Sequence, residues 1–253
     1  MPENLPTPRK SIAQIEQENR KLANKNIYLI RWLYMNKYKI LMIVMFFILV
    51  FSFSKVNAIV KEQSLLGKTI CLDAGHGGID SGAIANNIYE KDINLSIVNA
   101  ISKELLANGA YVILTRDGDY ELTKTTTMRK RNDLYKRAMI INSSKCNLYL
   151  SIHLNSTTED KWRGLQVFYN SKLPENKTLA QTLTETLKSD IKNVRDLKKD
   201  NSYYMYRHIN IPGVLIEAGF LSNYSDKKQL INKDYQEQLS ISIVKGIKKY
   251  LNN

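Results

Sequence analysis

The sequence lacks several features that mark common protein classes. Its 253 residues include only two cysteines, too few for a disulfide-stabilised scaffold. It has no internal repeat and no low-complexity segment, and no stretch interleaves basic and aromatic residues as nucleic-acid-binding motifs do. The hydrophobic content of 43% is ordinary for a globular protein. These absences leave a globular chain whose function must be read from individual residues.

The two cysteines lie in apolar, strand-like runs. Cys71 and Cys146 each come shortly before a histidine, but neither has a histidine beside it in a strand-to-helix turn, so we do not expect a nucleophile. A free cysteine packs like a small hydrophobic residue. We therefore expect two buried free thiols, with a disulfide between neighbouring strands as the alternative.

No charge-free run reaches the length of a full membrane span. The apolar run 40–54 has 15 residues, whereas a span needs about 20, and this length suits the core of a signal peptide. Lysines precede the run, and the positive-inside rule then predicts that the bulk of the chain is exported. We expect a leader over residues 1–58 that contacts the membrane. It would be cleaved after Ala58, giving a secreted protein, or kept as an anchor on the outer face of the cytoplasmic membrane.

The first 34 residues are too long for the start of a signal peptide and include Glu3, Glu16 and Glu18. A start at Met35 gives a compact signal-like segment, and we hypothesise that translation begins there rather than at Met1. N-terminal sequencing of the native protein decides between the two.

The chain is basic, with a net charge of +13. Residues 1–56 account for +6 of this charge, which leaves +7 on the exported part. A basic exported protein suits an anionic polymer such as a cell wall or a membrane surface, although a Lys-rich solvated surface is the plainer explanation. Export argues against nucleic acid, so we expect no nucleic-acid partner.

From Lys68 onward, strand-like and helix-like patterns alternate, which predicts an α/β fold. We expect one catalytic domain over residues 66–253, with a mostly parallel central sheet flanked by helices. The predicted strands cover 68–73, 111–115, 147–152, 164–169 and 213–217, and the predicted helices cover 91–108, 131–142, 179–191 and 235–251.

Four residues with metal-binding or acid–base chemistry follow apolar runs: His76, Glu90, His153 and Glu217. All but Glu90 lie at or just past the carboxyl end of a predicted strand, where parallel sheets bind their ligands. Two imidazoles and a carboxylate can hold one zinc ion and leave its fourth position to water. A further carboxylate can take the proton from that water. The sequence therefore predicts one zinc site with a neighbouring general base.

Each of these residues also has a simpler explanation. The glycine-rich turn around His76 invites phosphate binding, but DAGHGG lacks the lysine and the spacing of a P-loop. Glu90 alone would be an ordinary carboxylate at a helix N-terminus. Glu217 has no equally simple explanation, because burial of a carboxylate after three apolar residues costs free energy unless it has a partner or a function.

The motifs around these residues resemble those of the zinc-dependent N-acetylmuramoyl-L-alanine amidases of bacterial cell walls. The matching segments are LDAGHGGIDSGA, EKDINLSIV, LYLSIHLNS, RGLQVFYN and PGVLIEAGFLSN, in this order. The resemblance implies an α/β fold with one zinc ion and hydrolysis of the bond between muramic acid and the first L-Ala of peptidoglycan stem peptides. It also implies that His76, Glu90 and His153 ligate the zinc and that Glu217 is the catalytic acid/base.

Two further stretches are similar to the germination-specific amidases of spore-forming bacteria, DKWRGLQVFYNSKLPENKTLAQTL and SYYMYRHINIPGVLIEAGFLSN. This similarity implies a role in the spore: stem peptides are removed from cortex peptidoglycan so that muramic lactam can form, which germination requires. The site of action would then be the forespore or cortex space. Only ten residues separate His153 from Gly164, too few for the long regulatory helix that some relatives insert near the site.

Other functions use the same residues. A vegetative cell-wall autolysin, or another zinc peptidase or deacetylase acting on the wall, is the alternative, whereas a non-catalytic wall-binding module would be expected to have lost the ligands or the base. Three ligands alone could bind zinc weakly, so a protein activator is a further hypothesis. Arg116, Arg137 and Arg163 are candidates for binding carboxylates of the stem peptide, with solvated or helix-capping roles as the alternative.

Overall fold

The computed structural model describes the backbone of residues 11–62 and 65–252. Its contacts divide the chain into two units, Met1–Ile59 and Val60–Asn253. The start at Met1 and the beginning of the expected leader lie outside the described residues. The expected cleavage point after Ala58 falls where only the backbone of a helix is described.

The first unit is built on one long helix, α1, over Ile12–Glu62. The part Ile12–Ser52 is long and apolar enough, by length and composition, to cross a membrane, although a signal sequence meets the same criteria. Its large apolar side chains are exposed, for example Phe47 and Leu49, both at 65%. The charge-free run 40–54 is therefore the apolar centre of a longer continuous helix.

The second unit contains a six-stranded sheet and a separate hairpin. Its strands in chain order are β1 (Thr69–Ala74), β2 (Ile84–Ala85), β3 (Ile88–Tyr89), β4 (Tyr111–Leu114), β5 (Leu148–Asn155), β6 (Gln166–Tyr169), β7 (Lys198–Lys199) and β8 (Gly213–Phe220). β2 and β3 form the hairpin, and the other strands form the sheet in the order β4-β1-β5-β8-β6-β7. Neighbouring strands in the sheet are parallel except β6, which runs antiparallel to β8. The short loop between β5 and β6 explains the reversal, because a parallel crossover needs a dozen or more residues.

Helices cover both faces of this sheet. They are α2 (Glu90–Ala107), α3 (Arg129–Ser143), α4 (Pro174–Asp190), α5 (Tyr224–Leu230) and α6 (Lys233–Leu251), and a 3-10 turn lies at Tyr204–Arg207. The larger core packs α2, α4 and α6 against one face, and the smaller core packs α3 and the 3-10 turn against the other.

Alternation along β5 decides which core each of its side chains enters. Leu148, Leu150 and Ile152 enter the larger core, and Tyr149 enters the smaller one. By the same two-residue period, His153 lies on the face that α3 covers.

The α/β fold with a mostly parallel sheet is confirmed, and each predicted strand and helix is present to within a few residues, apart from the N-terminus of α4. The hairpin, β7, α5 and the 3-10 turn were not predicted. These elements have two to seven residues each, too few to show a hydrophobic period.

The expectation of free thiols is wrong, because Cys71 and Cys146 form a disulfide. Cys71 lies in β1 and Cys146 just before the neighbouring strand β5, and both side chains enter the smaller core. Their Cα atoms are 5.9 Å apart, although 75 residues separate them in sequence. Strand pairing, which the sequence does not specify, brings the two sulfur atoms together.

We predict that replacing both cysteines with alanine lowers the free energy of unfolding by about 2–4 kcal/mol, since the cross-link restricts a long loop of the unfolded chain. Urea unfolding of the full-length chain in detergent, compared with the unmodified protein, measures the difference. Thiol titration is the control: the denatured protein should show no reactive thiol before reduction and two after it. Two reactive thiols without reductant would contradict the disulfide.

Candidate metal centre and catalytic carboxylate

His76 lies in the turn that follows β1, in a left-handed conformation with φ 63°. Two arginines bind the backbone carbonyl groups of this turn. Arg116 donates from Nε to Ala74 O (2.8 Å) and from Nη2 to Gly75 O (3.0 Å). Arg137 donates to Ala74 O (2.6 Å) and to His76 O (2.7 Å). The imidazole is therefore presented from a turn in which three consecutive carbonyl groups are anchored.

The sequence offered these two arginines as ligands of substrate carboxylates or as solvated or helix-capping residues, and the structure gives them partners inside the protein. Arg116 and Arg137 are each only 1% exposed, and their donors are used within the protein. The charge of Arg137 is balanced by Asp73 Oδ1 at 2.9 Å and Asp133 Oδ2 at 2.6 Å. Arg163 is exposed, and its role stays a prediction.

Glu90 is the first residue of α2, and its side chain is buried. Its Oε2 accepts a hydrogen bond from the N–H of Ala83 (2.9 Å), and its Oε1 accepts one from the N–H of Leu154 (3.0 Å). Burial raises the pKa of Glu90, but hydrogen bonds with His153 and His76 outweigh this effect and hold the pKa well below its ordinary value. The carboxylate is therefore ionised at neutral pH, as a metal ligand must be.

His153 lies near the end of β5, directly opposite Glu217 of β8. Its ring packs so closely on Gly75 that a Cβ atom at that position would collide with the imidazole. The glycine before His76 is thus required by a histidine on the neighbouring strand. The two imidazole rings meet nearly edge to face, with centroids 5.1 Å apart.

Both imidazoles and the carboxylate converge on one point. His76 Nε2 lies 3.2 Å from Oε1 of Glu90, and His153 Nδ1 lies 3.3 Å from the same oxygen. One ligand atom from each residue falls within 4.8 Å of the others. Burial lowers the pKa of His76, yet hydrogen bonds to Asp80 and Glu90 raise it overall to about 9. Two imidazoles and a carboxylate are a usual donor set for catalytic zinc, so these residues fit the ion that the sequence predicts.

Asp80 is a contact of this cluster that the sequence interpretation missed. Its Oδ2 lies 2.9 Å from His76 Nδ1, which leaves Nε2 facing Glu90. A carboxylate behind a histidine ligand fixes the tautomer and the orientation of the ring. Asp80 follows His76 by four residues, and the pairing of Gly77 with Asp80 closes the turn between them. In the sequence, the acidic residue at the end of the glycine-rich turn is the signal that could have indicated this contact.

Glu217 lies in β8, between His153 of β5 and Gln166 of β6. Its Oε2 atom is buried and has no hydrogen-bond partner among the described residues. Burial raises the pKa of Glu217 to about 7; the nearby His153 lowers it and Glu90 raises it further. A carboxyl group with a pKa near neutrality can both accept and return a proton, as a general acid/base must.

A cavity of about 250 Å³ opens onto both histidines and Glu217. Leu134 of α3, Phe168 of β6 and Leu215 of β8 give it apolar walls, and Tyr203 and Tyr206 also line it. No helix lies in the loop 156–165 that follows β5. The structure thus brings together the four residues that the sequence singled out, next to a cavity that can admit a substrate group.

Comparisons with known proteins find chains that are similar to this one. The family model described as N-acetylmuramoyl-L-alanine amidase matches residues 70–249. The germination-specific N-acetylmuramoyl-L-alanine amidase of Bacillus subtilis (strain 168) is 41% identical over 191 residues, which cover 74% of this chain and 81% of the relative.

Solved structures give the same picture. The CwlD amidase of Clostridioides difficile, determined in complex with the GerS lipoprotein, is 41% identical and superposes with a TM-score of 0.70, over 74% of this chain and 99% of that one. An N-acetylmuramoyl-L-alanine amidase of Clostridium difficile 630 is 33% identical, with a TM-score of 0.67 over 74% of this chain and 97% of that one.

We predict that Gly75→Ala weakens zinc binding about 10-fold or more, because the added methyl group displaces the ring of His153. Competition with a chelator measures the affinity of the purified chain. Gly118→Ala is the matched control, since its Cβ would meet only the movable ring of Tyr120, at 3.2 Å. Unchanged zinc affinity in a natively folded Gly75→Ala protein would contradict the contact.

Proposed function

The chain belongs to the N-acetylmuramoyl-L-alanine amidase family, and from this premise we propose that it cleaves peptidoglycan with one zinc ion held by His76, Glu90 and His153. The enzyme class is that of the family: hydrolysis of the amide bond between N-acetylmuramic acid and L-Ala. The observation that supports the metal proposal is the approach of both imidazoles to a single oxygen of Glu90, at 3.2 and 3.3 Å. These three residues would hold the ion beside the cavity onto which both histidines open.

Zinc bound there would act as a Lewis acid and lower the pKa of a bound water molecule towards about 7. In our proposal Glu217 takes the proton from the attacking water, because its carboxyl group has a pKa of about 7 and a free Oε2 atom. Glu217 then returns the proton to the amide nitrogen of L-Ala as this group leaves. An amide nitrogen is a poor leaving group until it is protonated, and the proton that Glu217 took from water meets this need.

We propose that the physiological substrate is the peptidoglycan of the spore cortex. Support comes from the similarity to a germination-specific amidase, 41% identical over 191 residues. Removal of stem peptides there would prepare muramic lactam formation. A vegetative autolysin is the alternative, and the choice of substrate in the digestion below distinguishes the two.

As a cell-wall amidase, the protein acts outside the cytoplasm. We propose that residues 1–58 are its export leader or membrane anchor and that residues 66–253 form the catalytic domain. The long apolar helix α1 supports export. The disulfide supports it too, because disulfides persist mainly in the oxidising compartments outside the cytoplasm. The mass of the protein recovered from the membrane fraction decides between cleavage and retention.

We further propose that a lipoprotein partner assists the enzyme. The CwlD amidase, 41% identical to this chain, is known in complex with the GerS lipoprotein. Partner binding could stabilise a metal site that has only three protein ligands. The digestion experiment below therefore compares samples with and without such a lipoprotein.

We predict that Glu217→Gln lowers kcat about 100- to 10,000-fold and leaves zinc affinity unchanged, since the amide side chain cannot carry the proton. Release of stem peptide measures turnover, and chelator competition measures zinc binding. Glu185→Gln, at an exposed glutamate of α4, is the matched control and should behave as the unmodified protein. Full activity of Glu217→Gln would remove Glu217 from the proposed mechanism.

We predict that the zinc-loaded chain releases stem peptides that begin with L-Ala and leaves bare muramic acid on the glycan. Mass spectrometry of digested vegetative and cortex-type peptidoglycan identifies the products, with and without a GerS-type lipoprotein. Faster release from cortex would support the spore role. Free amino acids from within the stem would indicate a peptidase, and free acetate a deacetylase; either product alone would contradict the amidase assignment.

A further inference from the structure

The two histidines of the cluster present different nitrogen atoms to Glu90. His76 presents Nε2, and its Nδ1 is bound by Asp80. His153 presents Nδ1 instead, at 3.3 Å from Oε1 of Glu90. The Nε2 atom of His153 therefore needs a different partner on the far side of the ring, since a metal-bound imidazole is held by a hydrogen bond from its other nitrogen.

That partner is the hydroxyl group of Tyr203. Its oxygen lies 3.3 Å from His153 Nε2, and the two rings meet edge to face with centroids 5.8 Å apart. The same hydroxyl group lies 3.2 Å from Sδ of Met205. Zinc at Nδ1 would leave the proton of His153 on Nε2, and the hydroxyl oxygen of Tyr203 would then accept a hydrogen bond from it. A thioether sulfur only accepts hydrogen bonds, so in that arrangement the hydroxyl proton is donated to Sδ.

The acceptor sulfur is held in place. Met205 is fully buried in the smaller core, next to Tyr149 and the disulfide. It lies in the 3-10 turn that directly follows Tyr203, so sulfur and phenol are carried by one short segment. The hydrogen bonds from imidazole to phenol to sulfur thus end on a buried residue of the same segment.

We propose that Tyr203 is a positioning residue that locks His153 in the tautomer with its proton on Nε2 and its Nδ1 lone pair directed at the metal position. This inference rests on the proposed zinc site. The two ligand histidines then have unlike outer partners, a carboxylate for His76 and a neutral phenol for His153. The phenol orients the ring without adding a third negative charge to the two of Glu90 and Asp80.

Tyr203→Phe tests the proposal, because phenylalanine keeps the ring packing and loses only the hydroxyl group. The expected result is a zinc affinity about 10-fold weaker, measured by chelator competition on the full-length chain. Tyr206→Phe is the matched control. It lies in the same segment, is buried, and its hydroxyl group has no hydrogen-bond partner among the described residues, so its loss should leave zinc affinity unchanged.

A spectroscopic readout separates positioning from packing. The chain has three histidines, so selective 15N-histidine labelling gives few signals to assign. Zinc-loaded protein should show a protonated Nε2 on His153 that exchanges slowly with solvent, and Tyr203→Phe should speed this exchange.

The outcomes distinguish this inference from the metal site on which it rests. If the unmodified chain binds no zinc, the metal site itself is wrong. If the unmodified chain binds zinc and Tyr203→Phe binds it equally well with the same proton exchange, only the role of Tyr203 is overturned. An equal loss of affinity in Tyr206→Phe would also overturn it, because the effect would then come from the segment and not from the hydrogen bond.

Discussion

The position of His76 in the cluster with Glu90 and His153 depends on how two buried guanidinium groups bind the end of β1. Arg116 and Arg137 together bind the carbonyl groups of three consecutive residues, which include the left-handed His76. Burying such charges is costly, and each needs fixed partners. For Arg137 these are Asp73 and Asp133, at 2.9 and 2.6 Å. Burial raises the pKa of Asp73, yet Arg137 and hydrogen bonds lower it overall, so the carboxylate stays ionised inside the protein. Removal of one partner of such a buried pair lowers the free energy of unfolding by about 3–5 kcal/mol. The strong pairing keeps Arg137 in place, and Arg137 in turn holds the turn that carries the imidazole.

The two glutamates of the site show how environment separates chemical roles. Glu90 is surrounded by donors: two backbone N–H groups and both histidines hold its charge and keep its pKa low. Glu217 is half-buried near the same histidines, its buried Oε2 has no hydrogen-bond partner among the described residues, and its pKa rises to about 7. A carboxylate that stays ionised suits a ligand, and one that titrates near neutrality suits a proton carrier. The proposed division of labour follows from hydrogen bonding, since the two side chains are chemically identical.

The disulfide and the apolar helix agree with a protein that acts outside the cytoplasm. Cys71 and Cys146 are cross-linked between neighbouring strands, and disulfides of this kind persist in oxidising compartments. The helix α1 supplies a segment able to contact a membrane. The cross-link also ties β1 to the residue that comes two positions before β5, so the bond that stabilises the smaller core joins the two strands that lead to His76 and His153.

The sequence by itself determined the fold class, and it singled out the four residues that the structure brings together. Alternating strand and helix patterns are local, and each of His76, Glu90, His153 and Glu217 lies in a short motif at the end of an apolar run. Only the tertiary structure decided what lies around them. The sequence offered Arg137 as a substrate ligand, and in the structure it binds the carbonyl groups of the turn. The two thiols expected to be free form a disulfide. Tyr203 lies 50 residues from His153 along the chain, and nothing local links them. Such contacts depend on which strands pair and on the register in which they pair. These properties arise from the packing of the whole domain, whereas hydrophobic periodicity and motif chemistry are written in neighbouring residues.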